Sequence, residues 1–349
     1  MPVSRSTPSN FTPKRRQPIR VLVLRWVVAL GLSAYELTSP AQAEPLRLVV
    51  AGLDKQIYLP VVLAQRLGYF AEQGLEVQLQ DDRSGVRAED KLLAGAVEGV
   101  IGFYDHTIML QAKGKFVRSV VQFSRAPGEA LLGSARLPAL VSPAGFAGRT
   151  LGVAGLGSST HLLTQYFGVA HGVRASDMNF VALESGPAFL DAMSRGRIQA
   201  GMTAEPVASQ LLATGQANLL VDLRTPATTW AALGGLYPGA CLYHSSRWIE
   251  THRSETQKLV NALVKALRYL DTHQADEIAA RLPDSLLGDR AGWVSALAAS
   301  KSMFTADGAM PPEAPATVLR VLNAASRTVQ GKKIDLALTY TNEFVAAVR

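Results

Sequence analysis

Short apolar runs alternate with amphipathic segments from Leu46 to Asp222, which is typical of strands followed by helices. Residues 46–51 predict the first strand, and the apolar positions between Leu59 and Phe70 recur at helical spacing. The alternation continues with predicted strands at 75–79, 100–103 and 116–123, and with helices at 88–94 and 106–113. This order predicts an α/β protein in which each sheet is mostly parallel.

The same alternation begins again in the second half of the chain. Strands are predicted at 149–153, 179–183 and 198–203, with helices at 159–171 and 187–195. Beyond Tyr237 the pattern becomes mainly helical, most clearly at 256–270 and 316–329. Joints rich in proline and glycine at 125–128 and 234–239 are natural crossing points between two lobes.

A weak internal repeat supports two similar lobes. Residues 93–102 match 194–203 in residue type, and a glycine in each copy turns the chain from a helix into an apolar strand. The simpler alternative is that any such joint favours glycine. If the repeat is real, Tyr104 and Glu205 follow equivalent strands and face one cleft, because ligands bind beyond the carboxyl ends of parallel strands.

The first 43 residues have the pattern of a secretory signal. Basic residues precede an apolar run at 21–32, and Ala41-Gln42-Ala43 offers a small-residue cleavage site. A membrane anchor would need about 20 apolar residues, whereas this run is shorter and contains Arg25. We therefore expect export to the periplasm with cleavage after Ala43, by either the general or the twin-arginine route.

Removing that segment changes the interpretation of the charge. Residues 1–43 carry six basic side chains against Glu36, a net +5, which leaves +2 of the whole chain's +7 for the remainder. A nucleic-acid partner would require a basic face on the folded protein, so none is expected. The single cysteine, Cys241, cannot form an intrachain disulfide, and we expect a monomer stabilised by its core.

The segment Gly157-Ser158-Ser159-Thr160 is the most informative local feature. It follows an apolar strand and opens a helix, so the hydroxyls, the free amides and the positive helix end together form an anion pocket. The alternative is an ordinary N-cap with no ligand.

Other candidate ligand-binding residues stand at strand ends. Gln56 and Tyr58 follow the first strand and offer hydrogen bonds, unless their loop is merely solvated. Tyr104 and Phe123 could form an aromatic wall, although such residues more often belong to a core. Glu205 could accept a hydrogen bond from a ligand, or it could stabilise a helix start.

The pattern argues against catalysis. Ser158, His161 and Glu184 are residue types found in hydrolases, but the glycine that a G-x-S-x-G motif requires two residues after the serine is missing. The six histidines are scattered and form no metal-binding motif. No enzyme activity, cofactor or metal is therefore expected.

Several segments resemble the nitrate/sulfonate/taurine-type ABC solute-binding proteins. They are listed in chain order: Tyr58-Leu59-Pro60, Gly68-Tyr69-Phe70, Gly74-Leu75-Glu76-Val77, Gly148-Arg149-Thr150-Leu151-Gly152-Val153, Gly157-Ser158-Ser159-Thr160-His161, Glu205-Pro206 and Tyr340-Thr341-Asn342-Glu343-Phe344-Val345. The resemblance implies a two-lobed type II periplasmic-binding-protein fold, α/β with a helical C-terminal region. It also implies a ligand held between the lobes and delivered to an ABC permease and its ATPase.

Combined with the joints, the resemblance predicts lobe I at 44–127 and 239–349, and lobe II at 128–238. The expected ligand is a small organic anion such as a sulfonate or carboxylate, bound by Gln56, Tyr58, Tyr104, Phe123, Ser158, Ser159, Thr160, His161 and Glu205. Tyr104-Asp105-His106 replaces a stretch that is usually small and polar in the family, which leaves the ligand open. The alternatives are a vitamin-precursor heterocycle resembling the thiamine pyrimidine, or an exported enzyme on the same scaffold. The related thiamine-pyrimidine synthase carries a cysteine-rich motif, whereas Cys241 stands alone.

Overall fold

The computed structural model describes residues 44–184 and 186–348, so the predicted signal peptide lies outside the described residues. The strands, in chain order, are β1 Leu46–Val50, β2 Val77–Asp81, β3 Gly99–Phe103, β4 Val117–Gln122, β5 Glu129–Ser134, β6 Thr150–Val153, β7 Asn179–Ala182, β8 Ala200–Ala204, β9 Ala217–Leu223 and β10 Ala240–Ser245.

The helices surround these strands. In chain order they are α1 Leu59–Arg66, α2 Tyr69–Glu72, α3 Gly85–Leu93, α4 Asp105–Ala112, α5 Ser159–Ala170, α6 Gly186–Ser194, α7 Val207–Ala213, α8 Pro226–Leu233, α9 Ser246–Thr251, α10 Arg253–Thr272, α11 Ala275–Ala279, α12 Asp284–Leu287, α13 Arg290–Ser300, α14 Ala314–Ala325 and α15 Glu343–Ala346. Short 3₁₀ turns lie at Gln56–Tyr58, Pro143–Phe146, Ala175–Asp177, Lys301–Met303 and Leu336–Leu338.

The strands form two five-stranded sheets of the same design, in the orders β2-β1-β3-β10-β4 and β7-β6-β8-β5-β9. In the first sheet β1 is parallel to β2 and β3, while β10 is antiparallel to both of its neighbours. In the second, β6 is parallel to β7 and β8, and β5 is the antiparallel strand. The two-lobed α/β fold predicted from the sequence is therefore confirmed.

The secondary structure predicted from the sequence was incomplete for the two antiparallel strands, β5 and β10. β5 follows the first crossing between the lobes and β10 follows the second, so each enters its sheet from the opposite lobe. The sequence pattern placed no strand at Glu129–Ser134, and it predicted mainly helix in the region that contains β10. Both strands are almost entirely buried, and such runs lack the polar alternation that marks a half-exposed strand.

The two crossings lie side by side. The amide of Gly128, whose φ of +64° suits glycine, donates to the carbonyl of Leu223 at 3.0 Å. The amide of Gly239 donates to the carbonyl of Ser124 at 3.3 Å, and Tyr104 donates to the carbonyl of Gly239 at 2.9 Å. The bond between Gly239 and Ser124 therefore joins the two connections directly.

The C-terminal helices cover the sheets. α10 packs against α1, and its predicted apolar face is confirmed, because Leu259, Leu263, Leu267 and Leu270 are fully buried. α14 packs mainly against α5 and also against α4. The C-terminal region thus contacts helices of both predicted lobes.

Candidate functional site

A cleft lies between the two sheets, at the carboxyl ends of their parallel strands. It contains about 670 Å³ of empty space, including its opening to solvent. The first lobe contributes Ala51, Asp54, Lys55, Tyr58, Gly85, Phe103 and His106, and the second contributes Glu129, Ala154, Ser158, Ser159, Thr160, Leu183, Glu184, Gly186, Phe189, Met202, Thr203, Ala204, Glu205, Pro206 and Val207. This is the position that the sheet topology predicts for a ligand.

The start of α5 forms one wall of the cleft. Ser158 has the extended backbone of an N-cap residue, but its hydroxyl donates to the carbonyl of Gly155 at 2.7 Å instead of capping the helix. Thr160 Oγ1 lies 2.8 Å from Ser158 Oγ and accepts from the amide of Ala154 at 2.9 Å. Within the described residues, the first-turn amides of Ser159 and Thr160 have no acceptor. These amides, rather than the hydroxyls, are the free donors.

Ser159 joins this wall to a buried carboxyl group. Its hydroxyl donates to Glu129 Oε1 at 2.8 Å, and Glu129 is only 2% exposed. Glu129 Oε2 has no hydrogen-bond partner among the described residues. Burial raises the pKa of Glu129 to about 8; nearby Asp105 also raises it, while the Ser159 hydrogen bond and Lys55 lower it.

The loop after β1 forms the opposite wall of the cleft. Of its two predicted ligand-binding residues, Gln56 and Tyr58, only Tyr58 lines the cleft. Tyr58 lines the cleft, and its ring packs edge-on against Phe103 with centroids 6.5 Å apart. Gln56 does not line the cleft, because its side-chain amide donates to the carbonyl of Trp293 at 2.8 Å. Lys55 lines it instead, with Nζ donating to the carbonyl of Ala51 at 2.6 Å.

The expected aromatic wall of Tyr104 and Phe123 is not present. Both side chains are fully buried in the core, and the Tyr104 hydroxyl is hydrogen-bonded to Thr339. Neither residue lines the cleft, where Tyr58, Phe103 and Phe189 supply the aromatic surface.

The side chains of His161 and Glu205 are hydrogen-bonded to other groups of the protein. His161 Nδ1 accepts from the amide of Gly157 at 3.0 Å, and the residue lies outside the cleft lining. Glu205 lines the cleft, but its carboxylate accepts from the amide and hydroxyl of Ser209, at 3.0 and 2.7 Å. It also pairs with Arg224 at 3.1 Å, so the acceptor role expected of Glu205 is taken by contacts within its own lobe.

The sequence reasoning missed Lys55, His106 and Glu129. His106 lines the cleft with Nε2 unpartnered among the described residues, while its Nδ1 lies 3.3 Å from the Tyr243 hydroxyl. The available signal for Glu129 was a charged residue at the start of an apolar run, directly after the joint at Gly128. Such a position predicts either an exposed strand end or a functional carboxyl group.

The two lobes touch along the edge of the cleft. A Cβ atom added at Gly155 would lie 2.9 Å from Ser84 Oγ on the opposite lobe. Arg87 Nη1 and Glu184 Oε1 form an ion pair across the same edge at 3.3 Å. Both side chains are about half exposed, so this pair contributes little to stability. The loops of the two sheets thus meet along this edge of the cleft.

Across residues 44–184 and 186–348, no cluster of three or more histidine, cysteine or carboxylate side chains is placed to hold a metal ion. Over the same residues, no helix combines the length and apolar character needed to cross a membrane.

Known proteins resemble this chain in sequence and in fold. It is similar to a structure of a Bordetella bronchiseptica RB50 protein at 34% identity, with a TM-score of 0.84 over 86% of this chain and 96% of the other. The alkanesulfonate-binding protein SsuA from Xanthomonas axonopodis pv. citri, bound to MOPS, shares the fold at 18% identity (TM-score 0.68; 85% and 98% covered). The periplasmic nitrate-binding protein NrtA from Synechocystis PCC 6803 does so at 12% identity (TM-score 0.64; 86% of each chain). No curated protein matches the sequence.

Family membership follows from the sequence match. Residues 56–277, more than half of the chain, match the family described as NMT1/THI5 like. The match and the shared fold confirm the resemblance to nitrate/sulfonate/taurine-type binding proteins. The chain belongs to the NMT1/THI5-like family and has the fold of the periplasmic binding proteins.

Proposed function

We propose that this protein is the periplasmic solute-binding component of an ABC importer, which holds one small organic molecule between its two lobes. The observation that carries the proposal is the cleft itself, where free helix amides and a buried carboxyl group converge at the strand ends. Its relatives in fold include proteins described as binding alkanesulfonate and nitrate. In this proposal the protein acts as a monomer and delivers its ligand to a permease and ATPase.

The proposed ligand carries an anionic group at the start of α5. The amides of Ser159 and Thr160 are free among the described residues, and the positive end of the helix dipole favours negative charge there. Tyr58, Phe103 and Phe189 also line the cleft, and a bare inorganic ion has no apolar surface to pack against their rings. A sulfonate or carboxylate attached to a small organic body satisfies both features.

The second candidate is a nitrogen heterocycle, such as a vitamin precursor. Glu129 favours it, because the unpartnered Oε2 of its carboxyl group offers a hydrogen-bonding partner to a ring nitrogen or an exocyclic N–H group. The aromatic rings of Tyr58 and Phe103 would supply the apolar surface for such a ring.

The proposed function requires a division of the chain into two lobes. We place lobe I at 44–127 and 239–349, and lobe II at 128–238, with the hinge at the paired crossings near Gly128 and Gly239. Release of the ligand then requires the contact between Gly155 and Ser84 to open. Small-angle scattering should show a larger radius of gyration after the ligand is removed.

Export follows from the signal pattern at Ala41-Gln42-Ala43. The mature protein should begin at Glu44, which N-terminal sequencing of the periplasmic fraction tests. An intact N-terminus on the mature protein would contradict export by cleavage.

The direct test of function is recovery of the bound molecule. The protein should be purified without denaturant, and the small molecules released from it identified by mass spectrometry and returned to ligand-free protein. A binding protein should give one compound at one copy per chain and return it unchanged. Chemical conversion during incubation would instead support an enzyme, and failure to bind any compound would contradict the proposal.

A further inference from the structure

The short 3₁₀ turn Gln56–Tyr58 presents its last two side chains to different parts of the molecule. Tyr58 lines the cleft, whereas the preceding residue, Ile57, is 1% exposed and packs into the apolar core around α1 and α10. The amide of Tyr58 donates to the carbonyl of Lys55 at 3.1 Å, which holds the turn together. A shift of the Tyr58 backbone therefore also shifts Ile57.

Ile57 packs against both crossings, at the positions of their glycines. A Cβ atom added at Gly128 would lie 3.1 Å from Ile57 Cδ1, and one added at Gly239 would lie 3.0 Å from the same atom. Both distances are shorter than ordinary contacts between carbon atoms, so Ile57 occupies the space that a side chain at either glycine would need. One methyl group thus lies against both connections between the two sheets.

Hydrogen bonds join the same turn to the first crossing. The amide of Gln56 donates to the carbonyl of Glu205 at 3.0 Å, and the amide of Glu205 donates to the carbonyl of Gly128 at 3.2 Å. The side-chain amide of Gln56 also donates to the carbonyl of Trp293 on α13, 2.8 Å away. The turn is therefore fixed on both sides of Ile57, and its position and that of the first crossing depend on each other.

We propose that Ile57 is a positioning residue, which holds the two crossings in place and connects them through Tyr58 to the occupancy of the cleft. A solute that packs against the Tyr58 ring restrains the turn, and the turn restrains the glycines at which the backbone direction can change. The solute at Tyr58 rests on the proposed function, whereas the contact between Ile57 and the crossings belongs to the fold alone.

The alternative role for Ile57 is simple filling of the core. A residue with that role contributes to the stability of the whole fold, and its truncation lowers that stability without a particular effect at the crossings. Hydrogen exchange distinguishes the two roles, because an amide that exchanges through local opening responds to the contacts around it and not to global stability.

The first measurement is hydrogen exchange of the mature protein without any added solute. Ile57→Val removes only the Cδ1 methyl group that lies against Gly128 and Gly239. The matched control is Ile249→Val, which removes the same atom from a buried position on α9. The amides of Gly128 and Gly239 should exchange about three- to tenfold faster in Ile57→Val than in wild type, and within about twofold of wild type in the control.

The second measurement is calorimetry, with the compound recovered from the wild-type protein as the probe. Ile57→Val should bind this compound about three- to tenfold more weakly than wild type does, although Ile57 does not line the cleft. Ile249→Val should bind it within about twofold of wild type. Circular dichroism should verify that both variants are folded before their affinities are compared.

Faster exchange at both glycines together with weaker binding supports the proposal. Unchanged exchange at the crossings, or an equal rise in Ile249→Val, overturns it at any affinity. Faster exchange in Ile57→Val with unchanged affinity overturns the connection to the cleft. If wild type binds no compound, the proposed function fails, and the exchange rates alone decide whether Ile57 holds the crossings.

Discussion

Replacing Glu129 with glutamine should change how the stability of the protein depends on pH. Burial raises the pKa of this carboxyl group from its ordinary value of 4.5 to about 8. Between these two values the folded protein keeps a proton that the unfolded chain has lost, so the free energy of unfolding falls as the pH rises. One such proton corresponds to about 1.4 kcal/mol per pH unit, or on the order of 4 kcal/mol between about pH 5 and pH 8.

The assay is urea unfolding of the ligand-free mature protein at several pH values in that range. Relative to wild type, Glu129→Gln should become more stable as the pH rises, because glutamine carries no proton to lose. His244, whose pKa burial also shifts, occurs in both proteins and cancels in the comparison. As a control, Glu250→Gln removes an exposed carboxylate on α9 and should follow wild type throughout. Parallel curves for wild type and Glu129→Gln would refute the argument that Glu129 is buried and protonated.

Three further substitutions separate the cleft from its surroundings. Gly155→Ala should weaken ligand binding about tenfold, because its new methyl group meets Ser84 in the closed form, and adding Ser84→Ala should restore the affinity. Unchanged calorimetric affinity in the single variant would argue against closure at this contact. Glu205→Gln should lower the free energy of unfolding in urea by about 1.5–3 kcal/mol and leave affinity within about twofold, since its partners lie within the lobe. A large loss of affinity would instead restore Glu205 as a ligand acceptor. Tyr104→Phe should cost about 1 kcal/mol of stability in the same assay and leave binding unchanged, whereas weaker binding would contradict its place in the core.

The elements that the sequence predicted well are those with local signals. The helical spacing of leucines in α10 corresponds to a buried face, and the Gly157-Ser158-Ser159 segment corresponds to the start of α5. The repeat at Gly95 and Gly196 also has structural counterparts, because both glycines have a positive φ between a helix and a strand. Each of these features depends on neighbouring residues, so a single sequence contains it.

The features that the sequence did not predict depend on contacts between distant parts of the chain. β10 pairs with β3 and β4, more than 100 residues earlier, and its buried residues show no alternation. The directions of side chains at strand ends are equally non-local. Tyr104 and Phe123 turn into the core, and Gln56 reaches Trp293 on a helix that is remote in sequence.

Within the site, Glu129 could not be recognised from the sequence for the same reason. Its sequence neighbours indicate only a strand that follows a glycine joint, and its contact with Ser159 appears once β5 takes its place beside β8. The carboxyl group therefore becomes recognisable as a candidate ligand-binding residue from tertiary structure, through its burial and its unpartnered oxygen.

The most direct test of ligand binding between the lobes is a crystal structure of the protein with the compound recovered from it. We expect density for that compound between the lobes, with one polar group within hydrogen-bond distance of the Ser159 and Thr160 amides. A compound bound elsewhere, for example in the surface groove between Gln165 and Gln330, with the inter-lobe cleft holding only water, would contradict it.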